Sequence, residues 1–246
     1  MTEEIDLFDK KHIRLVDVVT TYQGEGPNCG KRMTLTRFKY CNKACPFCDT
    51  QKMMSTIPEK EYSLEDISKF LDKSNGLMIT GGEPTLDVKM ADREFSNFES
   101  TILMLKYLNY NWADVETNGC NLMKLIKSTT DDEFEYKIDG INISWSPKFI
   151  TKDDYDVNLY NARKAYNWFG TIRPILKIVI SKEDNEYKKF LYDVVTRGII
   201  PGSYIYLMPL GVTYDEINYS MDECLKVASE LCCNISSRLQ IIHKFP

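Results

Sequence analysis

The sequence predicts an α/β fold in which about six parallel strands form a partial (β/α) TIM-like barrel. Two observations predict it. Strand-like and helix-like apolar patterns alternate along the whole chain, and no linker, internal repeat or low-complexity tract divides it. A chain of 246 residues can bury one large core. We therefore expect a single domain over residues 1–246, with right-handed crossovers between its parallel strands.

Strands are predicted where short β-branched or apolar runs are bounded by glycine and other turn residues. The runs lie at residues 13–22, 32–38, 76–80, 112–117, 140–147, 171–181, 203–211 and 237–245. The first two are joined by a glycine-rich loop, so residues 13–50 form an N-terminal arm. Residues 237–246 are predicted to be a C-terminal strand and tail.

Helices are predicted where apolar residues recur with a period near 3.6. These segments lie at residues 63–73, about 90–109, about 154–169, 183–198 and 214–233. Ser63 followed by Asp66 is a helix-start signal, and Gly198 is a helix-end signal. The helices therefore separate most of the predicted strands, as a parallel sheet requires.

Composition excludes several classes of function. The chain is 43% hydrophobic and 27% charged, has a net charge of −5 and offers no basic surface for direct nucleic-acid binding. No apolar run approaches the roughly 20 residues of a membrane span, and the start MTEEIDLFDKKHIRL lacks the apolar core of a secretory signal. We expect a cytoplasmic protein whose eight cysteines are reduced.

The segment CNKACPFCDT carries three cysteines, Cys41, Cys45 and Cys48. Structural zinc needs four protein ligands, and only Cys29 lies close enough in sequence to supply a fourth thiol. A redox couple would use Cys45 and Cys48 and leave Cys41 without a role. A [4Fe–4S] cluster can bind three thiolates and leave its fourth iron open for a substrate or cofactor.

Five segments fall just after predicted strands. They are CNKACPFCDT, TGGEP, ETNG, SWSPK and LMPLG. Because chemistry in such folds collects at the carboxyl ends of the strands, we expect these loops to gather on one rim.

The spacing C-x3-C-x2-C, with Phe47 before the last cysteine and TGGEP at residues 80–84, resembles the radical S-adenosylmethionine (radical SAM) superfamily. The resemblance implies a radical SAM core in which Cys41, Cys45 and Cys48 are the catalytic ligands of a [4Fe–4S] cluster. SAM would bind the open iron, and the reduced cluster would cleave SAM to a 5′-deoxyadenosyl radical that abstracts a substrate hydrogen.

Residues 20–50 resemble the N-terminal arm of the 7-carboxy-7-deazaguanine synthases, which combines T-x-Q-G-E-G, F-x-R-x-x-G-C and C-D-T. Two departures are Tyr22 in place of leucine and Tyr40 in place of the glycine before Cys41. The resemblance implies a carbon–nitrogen lyase of 7-deazaguanine (queuosine) biosynthesis. It would convert 6-carboxy-5,6,7,8-tetrahydropterin to 7-carboxy-7-deazaguanine with loss of ammonia, reusing SAM and requiring Mg²⁺.

The same resemblance implies a set of site residues. The substrate contacts are Tyr22, Gln23, Gly24, Glu25, Arg37, Thr80 and Pro246. The SAM contacts are Phe47, Cys48, Asp49, Gly82, Glu83, Glu116, Asn118, Ser146, Pro147 and Lys148. The Mg²⁺ ligand is Thr50, whose hydroxyl oxygen suits this hard cation. Arg37 would face the substrate carboxylate, and Glu83 would accept from the SAM ammonium.

The resemblance also implies partners. A flavodoxin- or ferredoxin-type protein would supply the electron, and the chain would form a homodimer. Two alternatives stay open. One is a glycyl-radical-enzyme activase of the anaerobic ribonucleotide reductase type, against which the Q-G-E-G arm and the terminal Pro246 argue. The other is a non-enzymatic zinc or iron–sulfur protein.

Overall fold

The computed structural model describes residues 12–46, 48, 50, 56–89, 94–130, 140–168, 172–183 and 185–244. Its strands are β1 (His12–Leu15), β2 (Asp17–Tyr22), β3 (Arg32–Phe38), β4 (Lys60–Ser63), β5 (Gly76–Gly81), β6 (Trp112–Thr117), β7 (Ile141–Trp145), β8 (Ile175–Ile180), β9 (Ile205–Pro209) and β10 (Asn234–Ile235). Its helices are α1 (Leu64–Leu71), α2 (Asn97–Tyr107), α3 (Leu122–Thr129), α4 (Asp154–Tyr166), α5 (Asn185–Thr196), α6 (Tyr214–Leu231) and α7 (Leu239–His243).

Eight strands form one mixed sheet in the order β10-β9-β8-β7-β6-β5-β3-β2. The pairs from β3 to β10 are parallel, and only β2 pairs antiparallel to its neighbour β3. The predicted α/β architecture with a largely parallel sheet is therefore confirmed. The described strands form an open sheet with β2 and β10 at its edges, and the barrel-like curvature stays a prediction.

Side-chain caps set the starts of three helices, α1, α2 and α6. Each of them begins with a capping box, in which an N-cap hydroxyl and the carboxylate three residues later bond reciprocally to the backbone. The pairs are Ser63 with Asp66, Ser96 with Glu99, and Thr213 with Glu216. Within the described residues, none of the helices has the length and apolar character needed to cross a membrane.

Several predicted boundaries are wrong. The strand predicted at 13–22 is broken at Val16 into β1 and β2, and β1 pairs with β4 in a separate two-stranded sheet. Helix α3 was not predicted. The strand predicted at 237–245 is wrong, because Leu239–His243 is helical and β10 takes the sheet edge instead. A short apolar run such as LQIIH does not distinguish helix from strand by periodicity alone.

The two faces of the sheet have different surroundings. Leu77 and Ile79 of β5 belong to the large core, which the sheet shares with residues of α1 to α6. Met78 between them points to the other face, where it packs with Met33 and Leu35 in a small cluster. Helices therefore cover one face, and the other face is left to carry a site.

Ile67 tests the packing of α1 against the sheet. It is fully buried in the large core, whereas Lys69 on the same helix is exposed. Ile67→Ala should lower the free energy of unfolding by about 2–5 kcal/mol, because it leaves a cavity. Lys69→Ala should change it by no more than about 0.5 kcal/mol. Urea unfolding measures both, and equal losses would contradict the packing described.

Candidate active site

A cavity of about 600 Å³ opens on the face of the sheet opposite helices α1 to α6. The sequence-predicted residues that line it are Tyr22, Gln23, Gly24, Glu25, Arg37, Cys41, Cys45, Cys48, Thr50, Thr80, Gly82, Glu83, Glu116, Asn118, Ser146 and Lys148. Pro147 is not in the lining, and Phe47, Asp49 and Pro246 lie outside the described residues. Leu210, after β9, is also in the lining, so the structure brings the loops after β3, β5, β6, β7 and β9 together, as predicted for one rim.

The cluster loop, residues 41–50, begins directly after the end of β3. A turn brings the backbone N–H of Cys48 to the carbonyl of Cys45 at 3.2 Å. The loop is tied to the first residue of α4 by an ion pair between Lys43 Nζ and Asp154 Oδ1 at 2.5 Å. Asp154 also accepts from the backbone N–H of Ile150, so it joins the cluster loop to the segment that follows β7.

The three thiols fit a [4Fe–4S] cluster better than a single metal ion. All eight cysteines are reduced in the structure. In the part of the chain that the structure describes, no three Cys, His, Asp or Glu side chains are grouped to hold one ion. A [4Fe–4S] cluster does not require such a group, since each thiolate binds a different iron. Burial raises the pKa of Cys41 and of Cys45, and bound iron would offset this by stabilising the thiolates.

The glycines of TGGEP are explained by contact with the cluster loop. Gly81 has a positive φ of 99°, which favours glycine. The N–H of Gly82 donates to the Phe38 carbonyl at 2.6 Å, and the N–H of Glu83 donates to the Tyr40 carbonyl at 2.7 Å. A Cβ on Gly82 would lie 2.1 Å from the Tyr40 carbonyl oxygen. The turn after β5 therefore holds the chain immediately before Cys41.

The Glu83 carboxylate joins the ends of β5 and β6. It is 1% exposed and accepts from Thr117 Oγ1 at 2.5 Å and from the Asn118 N–H at 2.7 Å. Thr85 donates to it through both its N–H and its hydroxyl. Burial nevertheless raises the pKa of Glu83. These contacts show that Glu83 holds the ends of β5 and β6 together. Its predicted contact with the SAM ammonium stays a prediction.

Asn118 connects the end of β6 to the cluster loop. Its Nδ2 donates to Asn42 Oδ1 at 2.7 Å and lies 3.7 Å from the Sγ of Cys41. The N–H of Ser146, after β7, donates to the Thr117 carbonyl at 2.8 Å. The segments ETNG and SWSPK are therefore adjacent to each other, and Asn118 brings ETNG to the first cysteine.

The amide of Gln23 is oriented by a buried carboxylate that the sequence analysis did not identify. Gln23 Nε2 donates to Asp114 Oδ2 at 3.0 Å, and its Oε1 accepts from the Glu25 N–H at 3.1 Å. Asp114 also accepts from Asn28 and Asn142, and burial raises its pKa. The only sequence signal was a carboxylate between two apolar residues of a predicted strand.

Arg37 lines the cavity, but its guanidinium already has a partner. Nε and Nη2 contact Asp17 Oδ1 and Oδ2 at 2.8 and 2.6 Å in a bidentate pair. The two residues are register partners in the antiparallel pair of β2 and β3. The predicted contact of Arg37 with a substrate carboxylate stays a prediction.

Three of the cavity residues that the sequence did not predict surround Glu25. They are Lys177, Arg238 and Gln240, and all three contact Glu25. Lys177 had a visible signal, since it interrupts the otherwise apolar strand ILKIVI. Arg238 and Gln240 lie at the start of α7, a segment that the sequence analysis assigned to a strand.

Three thiols in one loop suit an iron–sulfur site, and the comparison with known families places the chain in an iron–sulfur family. The family described as "4Fe-4S single cluster domain" matches residues 22–147, just over half of the chain. The chain belongs to this family.

Comparison with individual proteins gives more specific similarities than the family model does. The chain is 27% identical to a 7-carboxy-7-deazaguanine synthase from Hyperthermus butylicus over 95% of its own length and 94% of that protein. It is 34% identical to the enzyme of that name from Haemophilus influenzae over 61% of this chain and 62% of that one. The crystal structure of QueE from Escherichia coli shares its fold, with a TM-score of 0.57, 16% identity and coverage of 95% and 97% of the two chains.

Gly82 offers a test of the contact between the turn and the cluster loop. In Gly82→Ala the new Cβ would overlap the Tyr40 carbonyl, so the chain before Cys41 must shift. We expect less iron per protein after anaerobic reconstitution. Gly140→Ala is the control, because its Cβ would lie 3.1 Å from its nearest neighbour, the Asn111 carbonyl. Equal iron content in the two variants would contradict the role given to this turn.

Proposed function

We propose that this chain is a radical SAM enzyme that converts 6-carboxy-5,6,7,8-tetrahydropterin to 7-carboxy-7-deazaguanine with loss of ammonia. The observation that carries the proposal is the shared cavity: the three cysteines of the cluster loop and the Q-G-E-G arm line the same space. A cluster protein that only stabilised its own fold would have no need of a polar cavity beside its thiols. The sequence relatives named as 7-carboxy-7-deazaguanine synthases support this substrate.

In this proposal Cys41, Cys45 and Cys48 hold the [4Fe–4S] cluster. When bound there and reduced, the cluster would supply the electron that cleaves SAM to methionine and a 5′-deoxyadenosyl radical, which would take a substrate hydrogen. The protein keeps the cluster loop in place through the Lys43–Asp154 ion pair and the turn at Gly82.

SAM would bind between the cluster loop and the ends of β5, β6 and β7. Asn118 and Lys148 line the cavity beside the cysteines, and Gly82, Ser146 and Glu116 complete this wall. Phe47, Asp49 and Pro147 are proposed contacts by resemblance alone. Thr50 lines the same cavity and is the proposed Mg²⁺ ligand, and substrate oxygens and water would supply the other ligands.

The substrate would lie on the arm side of the cavity, against Tyr22, Gln23, Gly24, Glu25 and Thr80. Carboxylate and amide oxygens accept hydrogen bonds, so this wall suits the N–H groups of a pterin. Arg37 would reach the substrate carboxylate while Asp17 holds its guanidinium in place. Pro246 is proposed as a further contact by resemblance.

The remaining parts of the proposal concern partners and architecture. The reductant would be a flavodoxin or a ferredoxin, the enzyme would act in the cytoplasm as a homodimer, and the open sheet would curve as a partial barrel. The arm residues Gln23 and Glu25 favour a small-molecule pocket over the protein-backbone substrate of a glycyl-radical-enzyme activase, because their side chains are held inside the cavity.

Product analysis tests the function. The reconstituted protein should release 7-carboxy-7-deazaguanine when given SAM, dithionite, Mg²⁺ and 6-carboxy-5,6,7,8-tetrahydropterin. Cys45→Ala should lose both the product and SAM cleavage, whereas Cys233→Ala, outside the cavity, should keep both. Release of 5′-deoxyadenosine alone by the wild type would contradict the substrate and favour the activase. Unchanged SAM cleavage by Cys45→Ala would contradict the cluster ligand.

Thr50 tests the magnesium site. Thr50→Val removes the hydroxyl oxygen and keeps the side-chain shape, so the variant should hold its cluster but lose most of the rate increase that Mg²⁺ gives. Thr130→Val, whose hydroxyl bonds to the Lys127 carbonyl at the end of α3, is the control. The measurement is product formation against Mg²⁺ concentration. A Thr50→Val enzyme with a wild-type response would rule out this ligand.

A further inference from the structure

Lys177 carries a buried ammonium in the cavity floor. It lies in β8, its side chain is 2% exposed, and it lines the cavity. Its Nζ lies 2.7 Å from Glu25 Oε2 and also contacts Glu116 Oε1. A buried cation is costly unless it is paired and hydrogen-bonded. Here one ammonium joins a carboxylate of the N-terminal arm to a carboxylate of β6.

We propose that Lys177 is a positioning residue that holds Glu25 and Glu116 side by side as acceptors for the N–H edge of the substrate's pyrimidine ring. The inference rests on the proposed function, because it takes a pterin as the ligand. It extends that function in two respects. Lys177 positions the two carboxylates, and Glu116 contacts the substrate beside Glu25 instead of contacting SAM.

The two carboxylates have different surroundings. Glu25 receives Lys177 on one oxygen, and Arg238 at 3.2 Å and Gln240 at 2.6 Å on the other. Within the described residues Glu116 accepts from Lys177 alone, and its side chain is 22% exposed. A carboxylate has about four acceptor positions. Glu25 is therefore the fixed partner that holds the ammonium, and Glu116 retains acceptor capacity for a ligand.

The charges around Lys177 support this difference. Burial disfavours ionisation of Glu25, but Lys177 and Arg238 outweigh it and lower its pKa to about 2. Burial raises the pKa of Glu116; Lys177 offsets part of the rise, and the negative charges of Glu25 and Asp114 add to it. Burial also disfavours the ammonium, yet the two carboxylates raise the pKa of Lys177. The lysine therefore stays charged and opposes protonation of Glu116.

These charges determine how ligand affinity should change with pH. A protonated Glu116 loses acceptor capacity, so ligand affinity should fall as the pH drops through its pKa. Without Lys177 that pKa rises further, because burial and the charges of Glu25 and Asp114 are no longer opposed. The fall in affinity should then begin at a higher pH.

The experiment measures binding of 6-carboxypterin, an unreactive oxidised pterin, to the reconstituted protein with SAM present, as a function of pH. Lys177→Met should bind the probe about tenfold or more weakly at neutral pH, since it removes the charged donor that holds the Glu25 and Glu116 carboxylates in place. Its loss of affinity should begin at a higher pH than in the wild type. Lys177→Arg, which keeps the charge, should recover part of the affinity and move the pH profile back toward the wild-type one.

Two further variants separate positioning from general stability. Lys188→Met removes a half-buried ion pair with Glu223 that lies outside the cavity, and it should leave binding and its pH profile unchanged. The double variant Lys177→Met/Glu116→Gln removes one carboxylate together with the lysine, so it avoids leaving both carboxylates without the cation. It should bind weakly, with no dependence on the protonation of Glu116. This variant serves as the test if Lys177→Met does not fold.

The outcomes distinguish the inference from the proposed function. Wild-type affinity and an unchanged pH profile in Lys177→Met would overturn the positioning role while leaving the function in place. A lower melting temperature with unchanged probe binding would do the same, because it would show a structural role alone. A wild-type protein that binds no 6-carboxypterin at any pH would overturn the proposed function itself.

Discussion

The structure depends on two backbone hydrogen bonds between the turn after β5 and the chain after β3. They run from Gly82 to Phe38 and from Glu83 to Tyr40, and they require a residue without a Cβ at position 82. Because β3 and β5 are parallel neighbours, both chains leave the sheet at the same edge. The carboxylate of Glu83 then extends the connection to β6. The cluster loop is thus held by main-chain contacts with the segment proposed to bind SAM.

The cavity floor is built at a cost to stability. Asp114 and Lys177 are buried within a sheet whose opposite face packs on the large apolar core, although burying a charge costs several kcal/mol even when it is paired. Apolar residues at these positions would pack without that penalty. Buried charged groups that lower stability in this way concentrate at functional sites. The arrangement makes sense if the floor must present fixed acceptors to a polar ligand, with Gln23 oriented from below by Asp114 and Glu25 held by Lys177.

The parts of this site that could be predicted from the sequence are those encoded locally. The spacing of Cys41, Cys45 and Cys48 lies within one loop, and the order of strands and loops places TGGEP beside it. The missed contacts join distant parts of the chain: Lys177 meets Glu25 across 152 residues, and Arg238 meets it across 213. The partner of Arg37 depends on an antiparallel register that no local pattern sets. Helix α7 was mistaken for a strand because its apolar run is only a few residues long.

The central claim is that three thiolates bind a [4Fe–4S] cluster whose fourth iron is open to SAM. Mössbauer spectroscopy of protein reconstituted with ⁵⁷Fe, before and after addition of SAM, tests it directly, because the open iron is the one that gains new ligands. The account predicts that one iron in about four changes its spectrum when SAM binds, while the rest stay the same. A cluster whose spectrum is unaffected by saturating SAM would contradict it, as would protein that takes up zinc in place of iron and sulfide.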